Sequence, residues 1–224
     1  MIGRPRKYGV QVNQLMSSSE IMAENRILNL VGPIRSDTLE IRDDLRLLSS
    51  ESKDPIKIEL ITPGGEISVA LALYHTIASL NQSGTPVYTI GHACYSAGAL
   101  LLAAGKRGYR YIYPGGTAMI HAASVFVMGS VSQADLEILR KHDRILIDLI
   151  CKLCDKSSEE RDEIYRKAVE ERKEFWFDAK EAKEFGLVDH IITPEIDREL
   201  FGNIKIPSSW VEIKEMEIER RLKK

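Results

Sequence analysis

Cysteine is scarce: the 224 residues hold three. So low and odd a count argues against a disulfide framework and leaves at least one thiol unpaired, which points to a reducing compartment and a cytoplasmic location. Neither sign of charge is in excess, since 31 Lys and Arg face 33 Asp and Glu for a formal net charge of −2. That balance removes the electrostatic case for a nucleic-acid partner or an anionic membrane surface. Long apolar runs are missing as well. The longest, Ala97 to Ala104, falls far below the roughly 20 residues of a membrane-spanning helix. The basic start MIGRPRKYGVQVNQ has no apolar run behind it, so it does not read as a secretory signal. No internal repeat stands out. These absences leave a soluble chain, long enough for one cored domain with tails.

What is present is a regular alternation. Residues 1–23 keep no clean period and read as a flexible arm. ILNLVG at Ile27–Gly32 reads as a strand, and Ser36 is expected to cap a helix through Leu48. A β-rich run at Ile56–Ile61 ends in Thr62-Pro63-Gly64-Gly65, and a helix with a broad apolar side follows from Ile67 to Leu80. Val87–Ile90 is the next strand, and Ala97–Ala104 a helix stopped by Gly105. Tyr109–Tyr113 and Thr117–Ile120 read as two strands split by a Pro114-Gly115-Gly116 turn. A helix over about 132–154 carries a stripe of Leu139, His142, Leu146, Leu149 and Leu153. At 1.5 Å per residue it spans roughly 33 Å, long enough to reach a partner subunit. A charged helix from Ser158, a short one over Asp178–Phe185 and a strand at Val188–Ile192 complete the domain, 24–193, ahead of a tail over 194–224. Strands alternating with helices predict an α/β fold with crossover connections.

One stretch departs from ordinary core. In GHACYSAGALLLAAG, Gly91–Gly105, a serine stands at the mouth of an apolar helix. Ser96 has two readings, a helix cap or a nucleophile. A serine nucleophile needs a base, a group that orients the base, and N–H donors for the oxyanion. Ser96 lies where a helix N-terminus turns free N–H groups outward, and Pro63-Gly64-Gly65 is a second place where bare backbone can face a site. His121 closes the apolar run AMIH, either as a base or as a satisfied structural histidine. Cys151 and Cys154 form CKLC, but no second pair accompanies them, so a zinc site is not expected.

Four segments in order settle a resemblance: ENRILNLVGPI at Glu24–Ile34, ITPGGEISVALALYHTI at Ile61–Ile77, SAGALLLAAGKRGYRYIYPGGTAMIH at Ser96–His121, and AKEAKEFGLVDHII at Ala179–Ile192. Together they resemble the proteolytic subunit family of the Clp protease, over about residues 20 to 193. The resemblance implies a ClpP/crotonase-like stack of ββα units with a protruding handle helix at about 132–154. It implies a serine endopeptidase with Ser96 as nucleophile, His121 as base, and Gly65 and Ala97 as oxyanion-hole N–H donors, with no metal and no cofactor. It further implies self-association into double rings, seven subunits to a ring, and a partner AAA+ unfoldase feeding unfolded polypeptides to the enclosed sites.

Three departures from the family pattern carry expectations of their own. Gly91 lies five residues before Ser96 where the family has glycine four before, which predicts a one-residue bulge and makes His92 a rival for the base. The place of the family's triad aspartate, five residues before Ala179, is held by Glu174, in a Glu174-Phe175-Trp176 that resembles viral prohead proteases. Glu174 is taken as the orienting acid, with a solvated charge as the alternative. After His121 the segment AASVFVMGSVSQAD is longer and more apolar than the family's, and Phe126, Val127 and Met128 are expected to border the substrate groove, with a ring-to-ring contact as the alternative. The competing functions are a non-catalytic ring subunit, a stand-alone prohead-type maturation protease, and an acyl-CoA hydratase or isomerase of the crotonase fold.

Overall fold

The structure, a computed structural model, describes residues 17–122 and 132–207. The chain divides into two compact units, Arg26–Asn203 and the ends that flank it. Within the flanking unit, Ser18–Glu24 forms helix α1, in the stretch expected as part of a flexible arm. Its start is a capping box: the Ser17 hydroxyl accepts from Glu20 N–H, and the Glu20 carboxylate accepts from Ser17 N–H. The Asn25 amide then exchanges two hydrogen bonds with the Lys205 backbone, at 2.9 and 2.7 Å.

The larger unit is a six-stranded sheet with helical crossovers. Strands β1 (Ile27–Val31), β2 (Ile56–Thr62), β3 (Val87–Tyr95) and β4 (Arg110–Ile120) run parallel, side by side in chain order. Parallel neighbours need a crossover, and these are α2 (Leu39–Glu51), α3 (Ile67–Gln82) and α4 (Ala97–Ala103). A sheet that grows in one direction through right-handed crossovers carries all of them on one face. The strands are patterned for that face: Ile56, Ile58 and Leu60 are buried while Lys57 and Glu59 between them are half-exposed. Every residue of α4 is buried, so the short apolar helix is the centre of the core. On the opposite face Ile90, Tyr111, Ile192 and Leu200 form a smaller cluster under α8 (Pro194–Phe201). Tyr113 donates to Asp197 of that helix at 2.8 Å.

Two strands are bent, and the bends show how each ββα unit is made. In β3, Gly91 pairs with Leu60 but Ala93 pairs with Ile61, so His92 is the extra residue of a β-bulge. In β4, Ile112 pairs with Gly91 and the next paired residue is Thr117, opposite Ala93. The Pro114-Gly115-Gly116 segment, expected to end one strand, instead kinks a single one. Its first half pairs with β6 (His190–Ile191), and its second half pairs antiparallel with β5 (Phe175–Asp178).

Helix α5 (Gln133–Leu153) begins with Ser132, whose hydroxyl accepts from Asp135 N–H. Its buried stripe is Leu146, Ile147, Ile150 and Cys151 rather than the one centred on Leu139, His142 and Leu149. The turns before Lys141 are largely exposed, and Leu136 and Ile138 among them face solvent. Helix α6 (Ser158–Val169) follows, and α7 (Ala179–Phe185) is capped by Asp178, which accepts from Lys180 and Glu181 N–H. Ser36 caps nothing: Ser36–Thr38 is a 3₁₀ turn, and α2 starts after it. Among the described residues no helix is long and apolar enough to cross a membrane.

Candidate active site

Ser96 occupies the single residue between the end of β3 and the start of α4. Its backbone has φ 56° and ψ −122°, and its side chain makes no cap hydrogen bond with the helix. A non-glycine residue at positive φ is strained, and such strain persists only where the surroundings hold it. Here they do. The Ser96 N–H donates to Met119 O of β4 at 2.8 Å. On the other side a Cβ built on Gly64 would lie 2.7 Å from Tyr95 O and 2.8 Å from Ser96 Cβ, so bare backbone of the Thr62–Gly65 turn abuts the serine. Gly98 is equally constrained, since a Cβ there would meet Thr62 Cγ2 at 2.6 Å. Ser96 thus stands in a strained strand-to-helix turn at the sheet's carboxyl edge, half-buried, the backbone setting in which a nucleophile elbow is built.

Two backbone N–H groups at or beside this turn are left without a partner in the helix or the bridge. Ala97 is the first residue of α4, where the N–H has no intrahelical acceptor. Gly65 forms a parallel bridge with Ile34, but the bridge uses Gly64 O and Glu66 N–H, at 2.8 and 2.9 Å, and leaves the Gly65 N–H out. Gly65 has no room for a side chain, because its Cβ would fall 2.2 Å from Ile34 O.

His121 directly follows β4, two residues beyond the Met119 that receives the Ser96 N–H. It therefore sits at the same sheet edge as Ser96, on the adjoining strand. The antiparallel pairing of β4 and β5 ends with Ile120 opposite Phe175, and His121 and Glu174 are the residues that immediately adjoin this last pair. Glu174 is exposed, and its Oε2 accepts from the Trp176 indole N–H at 2.9 Å. No hydrogen bond joins it to His121 among the described residues. His92, the alternative base, is engaged elsewhere: its ring stacks on Tyr113 at 4.4 Å and its Nε2 lies 3.3 Å from Glu59 Oε1.

Phe126, Val127 and Met128 lie outside the described residues. Cys94, Cys151 and Cys154 are free and buried, and burial pushes their thiols up to about 12, 11 and 12. Among the described residues no three His, Cys, Asp or Glu side chains are grouped to hold a metal ion. Sequence reasoning missed Tyr95 and Thr117. The Tyr95 hydroxyl and Thr117 Oγ1 are 2.9 Å apart, and the Tyr95 ring meets Trp176 edge-on at 5.2 Å. Only the pairing of β3, β4 and β5 brings these three together, and nothing local in the chain encodes it.

Known proteins resemble the chain throughout this region. The family model for Clp protease matches residues 10–195. ATP-dependent Clp protease proteolytic subunit 1 of Rhodopirellula baltica is 33% identical over 187 residues, which cover 81% of this chain and 78% of the relative. The ATP-dependent Clp protease proteolytic subunit of Carsonella ruddii is 32% identical over 174 residues, covering 76% and 86%. The corresponding subunit 2 of Chlamydia abortus is 33% identical over 159 residues, covering 68% and 72%.

Proposed function

The chain belongs to the Clp protease family, and from that premise we propose that it is the proteolytic subunit itself, a serine endopeptidase acting at Ser96. The observation that carries this reading is the Ser96 turn, strained and with its hydroxyl unused as a cap. Capping would have satisfied one or two N–H groups at the mouth of α4; instead the hydroxyl is left for chemistry and the Ala97 N–H for an anion.

In the reaction, the Ser96 Oγ attacks the peptide carbonyl as His121 takes its proton. The carbonyl oxygen gains the charge and receives the N–H groups of Ala97 and Gly65. The C–N bond then breaks, the amine leaves with the proton from His121, and an acyl ester remains on Ser96. Water, deprotonated by His121, hydrolyses the ester and restores the serine. Glu174 holds the imidazole in the orientation this requires. The register of β4 and β5, with Ile120 opposite Phe175, supports that role.

The substrates are unfolded polypeptides, delivered by an AAA+ unfoldase whose ATP hydrolysis is the system's only nucleotide requirement. Subunits associate into double rings, and the exposed first half of α5, with Leu136 and Ile138, supports a contact between them. Hydrolysis of a short fluorogenic peptide tests the reading. The wild type should turn it over, and Ser96→Ala and His121→Ala should each lower kcat by at least about a thousandfold. Equal turnover by wild type and Ser96→Ala would refute it, and an assembled but inert wild type would make the chain a non-catalytic ring subunit.

A further inference from the structure

The carboxylate assigned to orient His121 has a partner of its own. Glu174 immediately precedes β5, and Trp176 is the second residue of that strand. The indole reaches back past Phe175, and its Nε1 donates to Glu174 Oε2 at 2.9 Å. The indole is itself held. Its ring meets the Tyr95 ring edge-on at 5.2 Å and 61°, and the Tyr95 hydroxyl is tied to Thr117 Oγ1 at 2.9 Å. Tyr95 is the residue before Ser96, and Met119 pairs with both Tyr95 and Trp176. One chain of contacts thus runs from the strand that carries the serine, across the strand that carries the histidine, to the carboxylate. Trp176 is 54% exposed, so core packing does not explain why a tryptophan stands there.

We propose that Trp176 is a positioning residue for catalysis, its indole N–H fixing the Glu174 carboxylate so that Oε1 is presented to His121. An exposed glutamate at a strand end samples several rotamers, and each departure from the productive one removes the orienting group from the base. A donor on one oxygen confines the side chain and leaves the second oxygen for the imidazole, since among the described residues Oε1 has no other hydrogen bond. A glutamate, one methylene longer than an aspartate, has more freedom to be confined, and Tyr95 confines the donor in turn. The inference rests on the reading of Ser96, His121 and Glu174 as a triad.

The test is a double-mutant cycle on the full, assembled chain, with kcat and KM measured for a short fluorogenic peptide. Trp176→Phe keeps a ring against Tyr95 and loses the N–H. It should lower kcat about threefold to tenfold, the scale of one hydrogen bond to a charged group at a partly exposed site, with KM within about twofold. Trp176→Tyr should give the same loss, which guards against a fault peculiar to one variant. Glu174→Gln should lower kcat further, and Trp176→Phe made in that background should add nothing. Equal losses from Trp176→Phe in both backgrounds, or a loss confined to KM, would overturn the inference and make Trp176 a packing or substrate contact. Wild-type kcat in Trp176→Phe, with kcat lowered in Glu174→Gln, would overturn the inference alone. Wild-type kcat in Glu174→Gln would overturn the role of Glu174 and the inference with it.

Discussion

Gly64→Ala is the perturbation that most directly strains the serine turn without replacing a residue assigned to the chemistry. Gly64 has φ +91°, which costs an L-residue about 1–2 kcal/mol. The new methyl would also lie 2.7 Å from Tyr95 O, 2.8 Å from Ser96 Cβ and 3.1 Å from Ala97 N. Two of those neighbours are backbone, so the overlap is relieved only by moving the turn, at a further cost of about 1–3 kcal/mol. The total is about 2–5 kcal/mol. Gly84→Ala is the matched control: its φ is +88°, but nothing lies within 4 Å of its Cβ, so only the conformational cost applies. Urea unfolding should therefore separate the two variants by about 1–3 kcal/mol. Turnover should separate them further. Misplacing a reacting group by 1 Å costs on the order of 100-fold, and a shift of a few tenths of an ångström at Ser96 should lower kcat at least about tenfold, while Gly84→Ala stays within about twofold. Wild-type kcat in a folded, assembled Gly64→Ala protein would refute the claim that this backbone abuts the reacting serine.

Two further predictions concern the frame around the site. Arg110 is buried and paired with Asp189 at 2.6 Å, and Asp189 also accepts from the Gly108 and Arg110 N–H groups. Burial pushes the Asp189 carboxyl up, but hydrogen bonds and charge from Arg110, with those two N–H donors, outweigh it and hold the pKa below the ordinary carboxylate value. Its stabilisation is thus present above about pH 4 and lost as pH falls from there through the folded value. Asp189→Asn should cost about 2–3 kcal/mol in urea unfolding at pH 7, and less at pH 3.5; an equal cost at both would contradict the sign. The three cysteines, buried and with raised thiol pKa values, should resist a thiol reagent at pH 8 in the native protein and react to three equivalents in denaturant. Rapid native labelling of any would contradict their burial.

Much of the fold was readable because its signals are local. Apolar alternation marked Ile56–Ile61, and the Gly186 stop and Asp178 cap bounded α7. Counting five residues rather than four from Gly91 to Ser96 anticipated the bulge now seen at His92. The misreadings have physical causes. Ser36 has the chemistry of a cap, yet the chain first makes a 3₁₀ turn, in which the Thr38 hydroxyl accepts from Arg35 N–H. Pro114-Gly115-Gly116 has the chemistry of a turn, yet β4 resumes beyond it because Ala93–Tyr95 and β5 offer it partners on both sides. The Ser17–Glu20 box starting α1 was present in the sequence but had too few apolar residues after it to show a period. In the candidate site, Ser96, His121 and the Gly64-Gly65 turn were candidates by residue type, while the roles proposed for them, and for Ala97, came from the family resemblance. The Tyr95, Thr117 and Trp176 cluster did not stand out, because long-range strand register alone assembles it.

The most direct test of the central claim is to expose the assembled protein to a fluorophosphonate probe and map the adduct by mass spectrometry. One adduct per chain is expected, on Ser96, absent from Ser96→Ala and His121→Ala and retained within about threefold in rate by His92→Ala, whose ring is committed to Glu59 and Tyr113. An adduct that persists in Ser96→Ala, or one lost with His92 and kept without His121, would contradict the assignment of nucleophile and base.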